Sequence, residues 1–567
     1  MVTVGKTAVD QRAKPGFLDR EAIVAKPGFN RWLLPPAALS IHLCIGMAYG
    51  FSVFWKPLQA ALVGADGTIL PECSAGAATF AEKAFGTMRA LTATDCNWSQ
   101  FDLGWMYTFF FVLLGVSAAI WGEWLERAGP RKAGIVATLC WCGGLLISAV
   151  GVYTHQLWLM WLGSGVIGGI GLGLGYISPV STLIKWFPDR RGMATGMAIM
   201  GFGGGAMVGS PLATFLMDEI FKTSTEPGVW QTFVAMAAIY VVFMLIGSFG
   251  YRLPPPGWKP EGWTPSVNRK TMMTSNHVHL KDAHKTSAFW LIWLALCLNV
   301  SAGIGIIGAA SPMLQETFGG SLVGLPDVGY LEMKRDISLA AAAAAVAAGF
   351  VGVISLFNIF GRFAWASSSD YLGRKRTYFI FFALGASLYI LAASAADWGM
   401  LALFVICVCI IASMYGGGFS TVPAYLADIF GTQFVGAIHG RLLTAWSTAG
   451  IVGPVIVNYL HDTRVAAGVP PDQIYGQIFY ILAGLLVVGF VANAFIRPVP
   501  PKWHMSEEDV AREQAKLRSS TDTGETGSFG IGKGGLDAKA FLFWSIVGIP
   551  IAWGVWQTGL KALALLG

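Results

Sequence analysis

One arginine stands where the chain has no other use for a charge. An apolar run begins near Leu339 and is still unbroken when it meets Arg362. An arginine deep in a membrane helix costs roughly 2.5–3.5 kcal/mol even on a lenient insertion scale, so such residues mark functional sites. Its planar fork of donors matches a carboxylate. The nearest acid along the chain, Asp370, lies eight residues on. That is about 12 Å along a helix, too far for direct pairing. Arg362 therefore reads as an anion-binding group.

Other residue types with chemical potential have plainer readings. Gly165 to Gly175 (GVIGGIGLGLG) contains GxGxxG-like matches. A dinucleotide loop needs a preceding strand and an acid about 20 residues on, and neither is present; glycines at this density let membrane helices approach closely. His277, His279 and His284 share a polar stretch without the cysteines or acids that would complete a metal shell, so no metal or other cofactor is expected. Cys140, Cys142, Cys407 and Cys409 lie in apolar helices as small hydrophobes, whereas Cys73 and Cys96 share one polar loop and are a candidate disulfide. His42 reads as a buried, hydrogen-bonded histidine. Asp102, Asp218, Glu219 and Asp428 fall near span ends, and no central span holds a carboxylate well inside. Proton-coupled carriers commonly use one, so anion exchange or simple facilitated flux is favoured. No nucleophile, base and oxyanion set is assembled, and the chain does not read as an enzyme.

The elements that position these residues are membrane helices. Of 567 residues 54% are hydrophobic and 12% charged, against about 25% charged in soluble proteins. The net charge of +6 sits in loops and reads as topology, not nucleic-acid affinity. Spans of the required ~20 apolar residues fall near 34–60, 101–122, 133–153, 158–183, 193–217 and 230–251, then 288–313, 339–365, 377–396, 400–427, 434–459 and 474–496. A thirteenth candidate covers 540–566. The division is a tail (1–33), a six-helix bundle (34–251), a Pro-rich basic linker (252–287), a second bundle (288–497), a flexible linker (498–539) and an additional membrane segment (540–567). With the N-terminus inside, the short cytoplasmic turns carry Arg127, Arg131, Lys132, Lys185, Arg190, Arg191, Arg374, Lys375 and Arg376, against Lys222 and Arg464 outside. That asymmetry fixes the orientation. The long outer loops 63–100 and 314–337 are equivalent in the two halves and are expected to cap an outer vestibule.

The halves repeat. Glu126 and Asp370, and Gly129 and Gly373, are each 244 residues apart, as are Pro179 and Pro423; Pro211 and Pro454 miss the interval by one. A duplicated membrane half is a known plan of secondary transporters. In the turns at 126–132 and 370–376 a glycine permits a tight reversal, basic residues meet headgroups, and the acid can cap a neighbouring helix end, which reads as a gate.

These turns resemble the loop signature of the major facilitator superfamily. Tyr176-Ile-Ser-Pro179 with Lys185-Trp-Phe-Pro-Asp-Arg-Arg-Gly192, Asn358-Ile-Phe-Gly-Arg362-Phe-Ala-Trp365 and Ala427-Asp-Ile-Phe-Gly431 resemble its oxalate/formate antiporter family, over roughly residues 30–497. The segment 540–566 is similar to a small extra membrane subunit of some members, fused on. The resemblance implies an alternating-access carrier of small carboxylates, with Arg362 as the substrate-binding arginine of the eighth helix and Tyr49, Tyr176, Tyr415 and Phe419 as cavity walls. Oxalate-carrying members have a second cation, a lysine, on the eleventh helix, where this chain has Trp446. Two cations suit a dianion and one suits a monoanion, so formate, pyruvate or lactate-like monocarboxylates gain over oxalate.

The expected fold is an all-α membrane protein of the major facilitator type, with 12 transmembrane helices in two pseudo-symmetric six-helix bundles plus a thirteenth. The expected function is secondary transport of small carboxylate anions by exchange, in a bacterial inner membrane, as a monomer whose partners are its substrates and the bilayer. Gly122, Glu126, Gly129 and Arg131, with Asp370, Gly373 and Arg374, are expected to form the inward-side gate; Ala366 replaces the opening glycine in the second copy, which makes close helix contact there less certain. The rivals are proton-coupled monocarboxylate symport and a carboxylate sensor that signals through residues 498–567.

Overall fold

The computed structural model describes residues 16–562 apart from 60, 65–67, 76–79, 224–227, 256–257, 261–273, 275, 334 and 519–537. The tail 1–33 and the linkers 252–287 and 498–539 therefore lie partly outside the described residues. Among those described, thirteen helices are long and apolar enough to cross a membrane, and no β-sheet forms.

The first half comprises α1 (Arg31–Phe51), α2 (Gln100–Ala128), α3 (Pro130–Tyr153), α4 (Leu157–Trp186), α5 (Arg191–Phe215) and α6 (Val229–Gly250). The second comprises α7 (Ser287–Phe318), α8 (Ile337–Leu372), α9 (Arg374–Asp397), α10 (Leu401–Phe430), α11 (Val435–Val457) and α12 (Ile474–Phe495). The last is α13 (Ala538–Ala562).

Helix ends depart from hydropathy for local reasons. The apolar window of α2 stops at 122, yet the helix continues to Ala128, because its terminator is Gly129 at φ +85°. At the other end the Ser99 and Asp102 side chains each accept from the other's backbone, a capping box. α8 likewise outruns its predicted 339–365. Asp336 accepts from the Ser338 and Leu339 amides at its start, and Gly373 at φ +86° ends it. A backbone in this left-handed region favours glycine, so the duplicated glycines set the two reversals. The predicted outer loop 314–337 is shortened, since α7 runs to Phe318 and Tyr330–Met333 is a further helical turn. The first span is also divided: α-helix gives way to a 3-10 stretch over Gly46–Phe54, which carries Tyr49. A mid-span 3-10 stretch is a common mark of a hinge. A Cβ on Gly46 would lie 2.3 Å from the Phe202 carbonyl oxygen, so the α1 and α5 backbones meet there.

Two seams join the halves. α5 packs along α8 and α2 along α11, with α5 also touching α10. Both seams are lined by small residues at the 244-residue interval. A Cβ on Gly196 would come 2.8 Å from the Arg362 carbonyl oxygen, and one on Gly440 would come 2.2 Å from that of Ala118. Gly196 and Gly440 are counterparts, and so are Ala118 and Arg362. α13 lies against α5, α8 and α1, crossing one seam from first half to second.

Candidate functional site

Arg362 is fully buried on α8. Two glycines make room for its stem: a Cβ on Gly416 would stand 3.0 Å from its Cγ, and one on Gly203 3.0 Å from its Nε. Nε donates to Asn358 Oδ1, one turn back, at 2.8 Å. Nη1 and Nη2, equally buried, complete no hydrogen bond of good geometry among the described residues, although the Tyr49 and Tyr176 hydroxyls stand in range to interact with the guanidinium. A buried charge with two idle donors is costly, and no carboxylate among the described residues pairs with it. The guanidinium carbon instead lies 5.7 Å from the Phe202 ring centroid and 5.3 Å from that of Phe419, in cation–π range.

An aromatic cage closes round it. Trp446 from α11 is the hub, with ring centroids 4.3 Å from Phe419, 5.4 Å from Tyr176 and Phe202, and 6.3 Å from Tyr49. Tyr415 packs on Phe419 at 5.2 Å, and its hydroxyl meets that of Tyr49 at 3.2 Å, joining α1 to α10 across the halves. The structure thus gathers Tyr49, Tyr176, Tyr415, Phe419 and Trp446, from four helices, around Arg362. Sequence reasoning missed Phe202 and also Phe111, whose ring lies 5.6 Å from Trp446, and it gave Asn358 only as part of a motif, not as the partner of Arg362. Phe202 had a usable signal: it is the bulky residue in the run Gly201-Phe-Gly-Gly-Gly205, and it lies 244 residues before Trp446.

The cage is rich in unmet polar groups. Besides the arginine's two nitrogens, the Tyr176 hydroxyl, the Trp446 Nε1 and both ring nitrogens of His439 are buried without partners among the described residues. His439 stands on α11 with its ring 6.0 Å from Tyr176. Two guanidinium donors, an indole N–H and a phenol O–H suit an acceptor-rich ligand of small size and negative charge. Among the described residues no second permanent cation stands in the cage: Arg441, the other basic residue near the start of α11, turns its Nη1 to the Leu280 carbonyl at 2.8 Å and to His284 Nδ1.

Below the cage, on the face where Gly129 and Gly373 reverse the chain, ion pairs tie the halves together. Asp370 caps the start of α5 across the seam, accepting from the Gly192 and Met193 amides at 2.8 and 2.9 Å. Asp428, on α10, pairs with Arg191 of the first half at 2.9 Å and with Arg374 at 3.2 Å; Arg374 also reaches Asp370 at 2.5 Å. Glu126 pairs with Lys185 and accepts from Ser181 at 2.9 Å, beside the start of α11, where Gly122 packs on Ala437. Ala366 keeps close contact after all. A Cβ on the facing Gly192 would be 2.1 Å from its carbonyl oxygen, so the missing glycine is supplied from across the seam. Arg131 stands outside this set, with Nη1 donating to the Phe17 carbonyl at 2.9 Å and its charge over the Phe17 ring. On the opposite face Cys73 and Cys96 are joined as a disulfide.

The family model described as Major Facilitator Superfamily matches residues 73–355 and 329–565. The chain belongs to this superfamily. It is accordingly a multi-pass membrane transporter and not an enzyme. This transporter is 25% identical over 350 residues to the oxalate:formate antiporter of Oxalobacter formigenes, covering 61% of this chain and 72% of that one. It is 24% identical over 520 residues to apicoplast pyruvate carrier 1 of Toxoplasma gondii, covering 82% and 88%. It is 22% identical over 465 residues to monocarboxylate transporter 14 of Homo sapiens, covering 72% and 86%. The superfamily fold is matched by the crystal structure of the transporter FucP in the outward conformation, with a TM-score of 0.52 at 14% identity, covering 83% of this chain and all of that one.

Proposed function

We propose that this transporter carries small monocarboxylate anions such as formate, pyruvate or lactate by alternating access, exchanging one anion for another at Arg362. The observation that carries this reading is the pair of buried guanidinium nitrogens without partners inside the aromatic cage. A carboxylate would accept from both in a planar fork, and the Tyr176 and Trp446 donors would take its remaining lone pairs. The walls leave one permanent positive charge, which suits a monoanion. The names of the three relatives, an oxalate:formate antiporter, a pyruvate carrier and a monocarboxylate transporter, agree with a carboxylate cargo. The ion pairs around Asp370 and Asp428 then form the cytoplasmic gate, which must part to open the cage inward.

The test is counterflow into proteoliposomes. Vesicles loaded with unlabelled formate, pyruvate, lactate or oxalate are offered each labelled acid, with protein-free vesicles setting the leak. Monocarboxylate counterflow that Arg362→Lys abolishes, with folding intact, supports the reading. Oxalate exchange at rates matching the monocarboxylates overturns the single-cation argument, and flux of none of the four removes the anion reading. Proton-coupled symport is the second reading, favoured by the surroundings of His42.

A further inference from the structure

His42 on α1 is fully buried, and both of its ring nitrogens face oxygen atoms that can only accept. Nδ1 is hydrogen-bonded to the carbonyl of Ala198 on α5. Nε2 lies 3.2 Å from the carbonyl of Tyr176 on α4. A neutral imidazole carries one N–H and one lone pair. Whichever tautomer it adopts, a lone pair is then aimed at a carbonyl oxygen, and one contact is repulsive. The imidazolium alone donates to both. The pocket has the donor–acceptor pattern of a proton-binding site, and it holds three helices of the first half together.

The ring also borders the anion cage. Its centroid is 5.3 Å from that of Tyr176 and 6.3 Å from that of Phe202, and Phe202 in turn lies under the Arg362 guanidinium. The groups facing His42 are few. α4 presents Tyr176, α8 presents the Arg362 charge, and α5 presents the Ala198 carbonyl and the Phe202 ring. No ion-pair partner of His42 occurs among the described residues. Burial opposes any charge on the ring, and the one cation that adds to that opposition is the one that the substrate neutralises.

We propose that His42 is the proton site of this carrier and that it binds its proton cooperatively with the anion at Arg362. A carboxylate seated on the guanidinium cancels the repulsion that an imidazolium would meet, and linkage requires the proton to strengthen anion binding by the same factor. The proton comes from water on the side to which the cage is open, rides on the imidazole, and is released to water on the other side. No bond to the substrate forms. Anion counterflow becomes the loaded half-cycle, and net uptake is proton–monocarboxylate symport. This rests on the reading of Arg362 as the anion site.

The experiment uses the full-length protein in proteoliposomes with an entrapped pH dye. Labelled pyruvate is supplied with and without an inward proton gradient, and protein-free vesicles correct for leak of the neutral acid. For wild type the expected result is lumenal acidification with uptake and gradient-driven accumulation. Apparent pyruvate affinity should rise as pH falls, by at most about tenfold per unit, the slope for one linked proton. His42→Gln keeps a donor and an acceptor but never charges. It should retain counterflow at equal pH and lose the accumulation, the acidification and the pH slope. Arg362→Lys should lose counterflow as well, which separates the two sites. Accumulation and acidification that survive in His42→Gln overturn the proposal, as does wild-type net uptake into substrate-free vesicles with no lumenal acidification; if pyruvate is not carried, formate or lactate replaces it, and absence of transport of all three by wild type removes the anion reading and this proposal with it. Should His42→Gln not fold, wild type in weakly buffered detergent decides the matter, since pyruvate addition must take up protons if the sites are coupled, and a flat pH trace overturns it.

Discussion

Phe202 and Trp446 occupy the same position in the two halves, 244 residues apart, and their rings meet face to edge at 5.4 Å. The pseudo-symmetric axis therefore passes through the cage. Around it the symmetry is broken where chemistry is needed: the counterpart of Arg362 is Ala118, so the second half alone brings the charge.

Trp446 should govern the choice of anion. Trp446→Lys places a second cation opposite Arg362, and oxalate should gain on pyruvate as a competitor in counterflow. Trp446→Phe keeps the ring and removes the Nε1 donor. Loss of one hydrogen bond to a charged group is worth about 1.5–3 kcal/mol, so the half-saturation concentration for pyruvate should rise roughly ten- to a hundredfold. An unchanged value would place the indole N–H away from the substrate.

Asp428→Asn should loosen the proposed cytoplasmic gate. It leaves Arg191 and Arg374 buried with one charged partner fewer, and breaking a buried pair costs about 3–5 kcal/mol. The variant should unfold at lower temperature in detergent. In a Ser181→Cys background, a membrane-impermeant maleimide should react faster than in the parent, because Ser181, hydrogen-bonded to Glu126 at the neighbouring seam, is buried while the halves are closed on this face. Equal labelling rates would mean that the ion pairs do not hold the gate.

Gly192→Ala and Gly436→Ala test the seam at counterpart positions with unequal expectations. The new Cβ at 192 would stand 2.1 Å from the Ala366 carbonyl oxygen, fixed backbone. At 436 it would meet Glu126 Oε1 at 2.4 Å, the end of a side chain that can move. Counterflow should be nearly lost in the first and reduced a few-fold in the second. Equal losses would show that contact with backbone is not what limits closure.

The cap on the opposite face should depend on a bond and on pH. Cys73 and Cys96 close a loop with a sequence separation of 23, which a cross-link of this span stabilises by about 3 kcal/mol. Alkylation before and after reduction should differ by two thiols, and Cys96→Ser should lower the unfolding temperature.

His155 stacks on Trp98 at 4.4 Å and its Nε2 meets the Cys96 carbonyl at 3.0 Å. Burial, the larger effect, lowers its pKa, and the hydrogen bond to Cys96 partly opposes this. The unfolded chain then takes up a proton that the folded cap refuses, so stability falls as pH drops through about 6.5, the ordinary histidine value. His155→Gln should flatten the dependence of unfolding temperature between pH 7.5 and 5.5.

Much of the architecture was legible because membrane helices announce themselves one at a time. Each span needs only its own apolar length, and each reversal only its own glycine, as Gly129 and Gly373 show. Arg362 stood out for the same reason, since the cost of a lone charge in an apolar run is local. What could not be read depends on rotation of one helix against another. Asp428 looked like a span-end acid until Arg191, 237 positions away, was seen beside it. Likewise, sequence gave His42 a partner but could not reveal that both of its partners are acceptors. The 244-residue interval held more than was taken from it, for it pairs Phe202 with Trp446 and Gly192 with Gly436 before any coordinates are consulted.

The placement of α13 gives the two seams different surroundings. It lies along α5 and α8, while the equivalent join of α2 with α11 has no such covering helix among the described residues. Acyl chains are displaced by protein at one join and press directly on the other. A change in bilayer thickness or lateral pressure will therefore reach this carrier chiefly through α2 and α11, and its response to the membrane is one-sided despite a body built from two copies of one design.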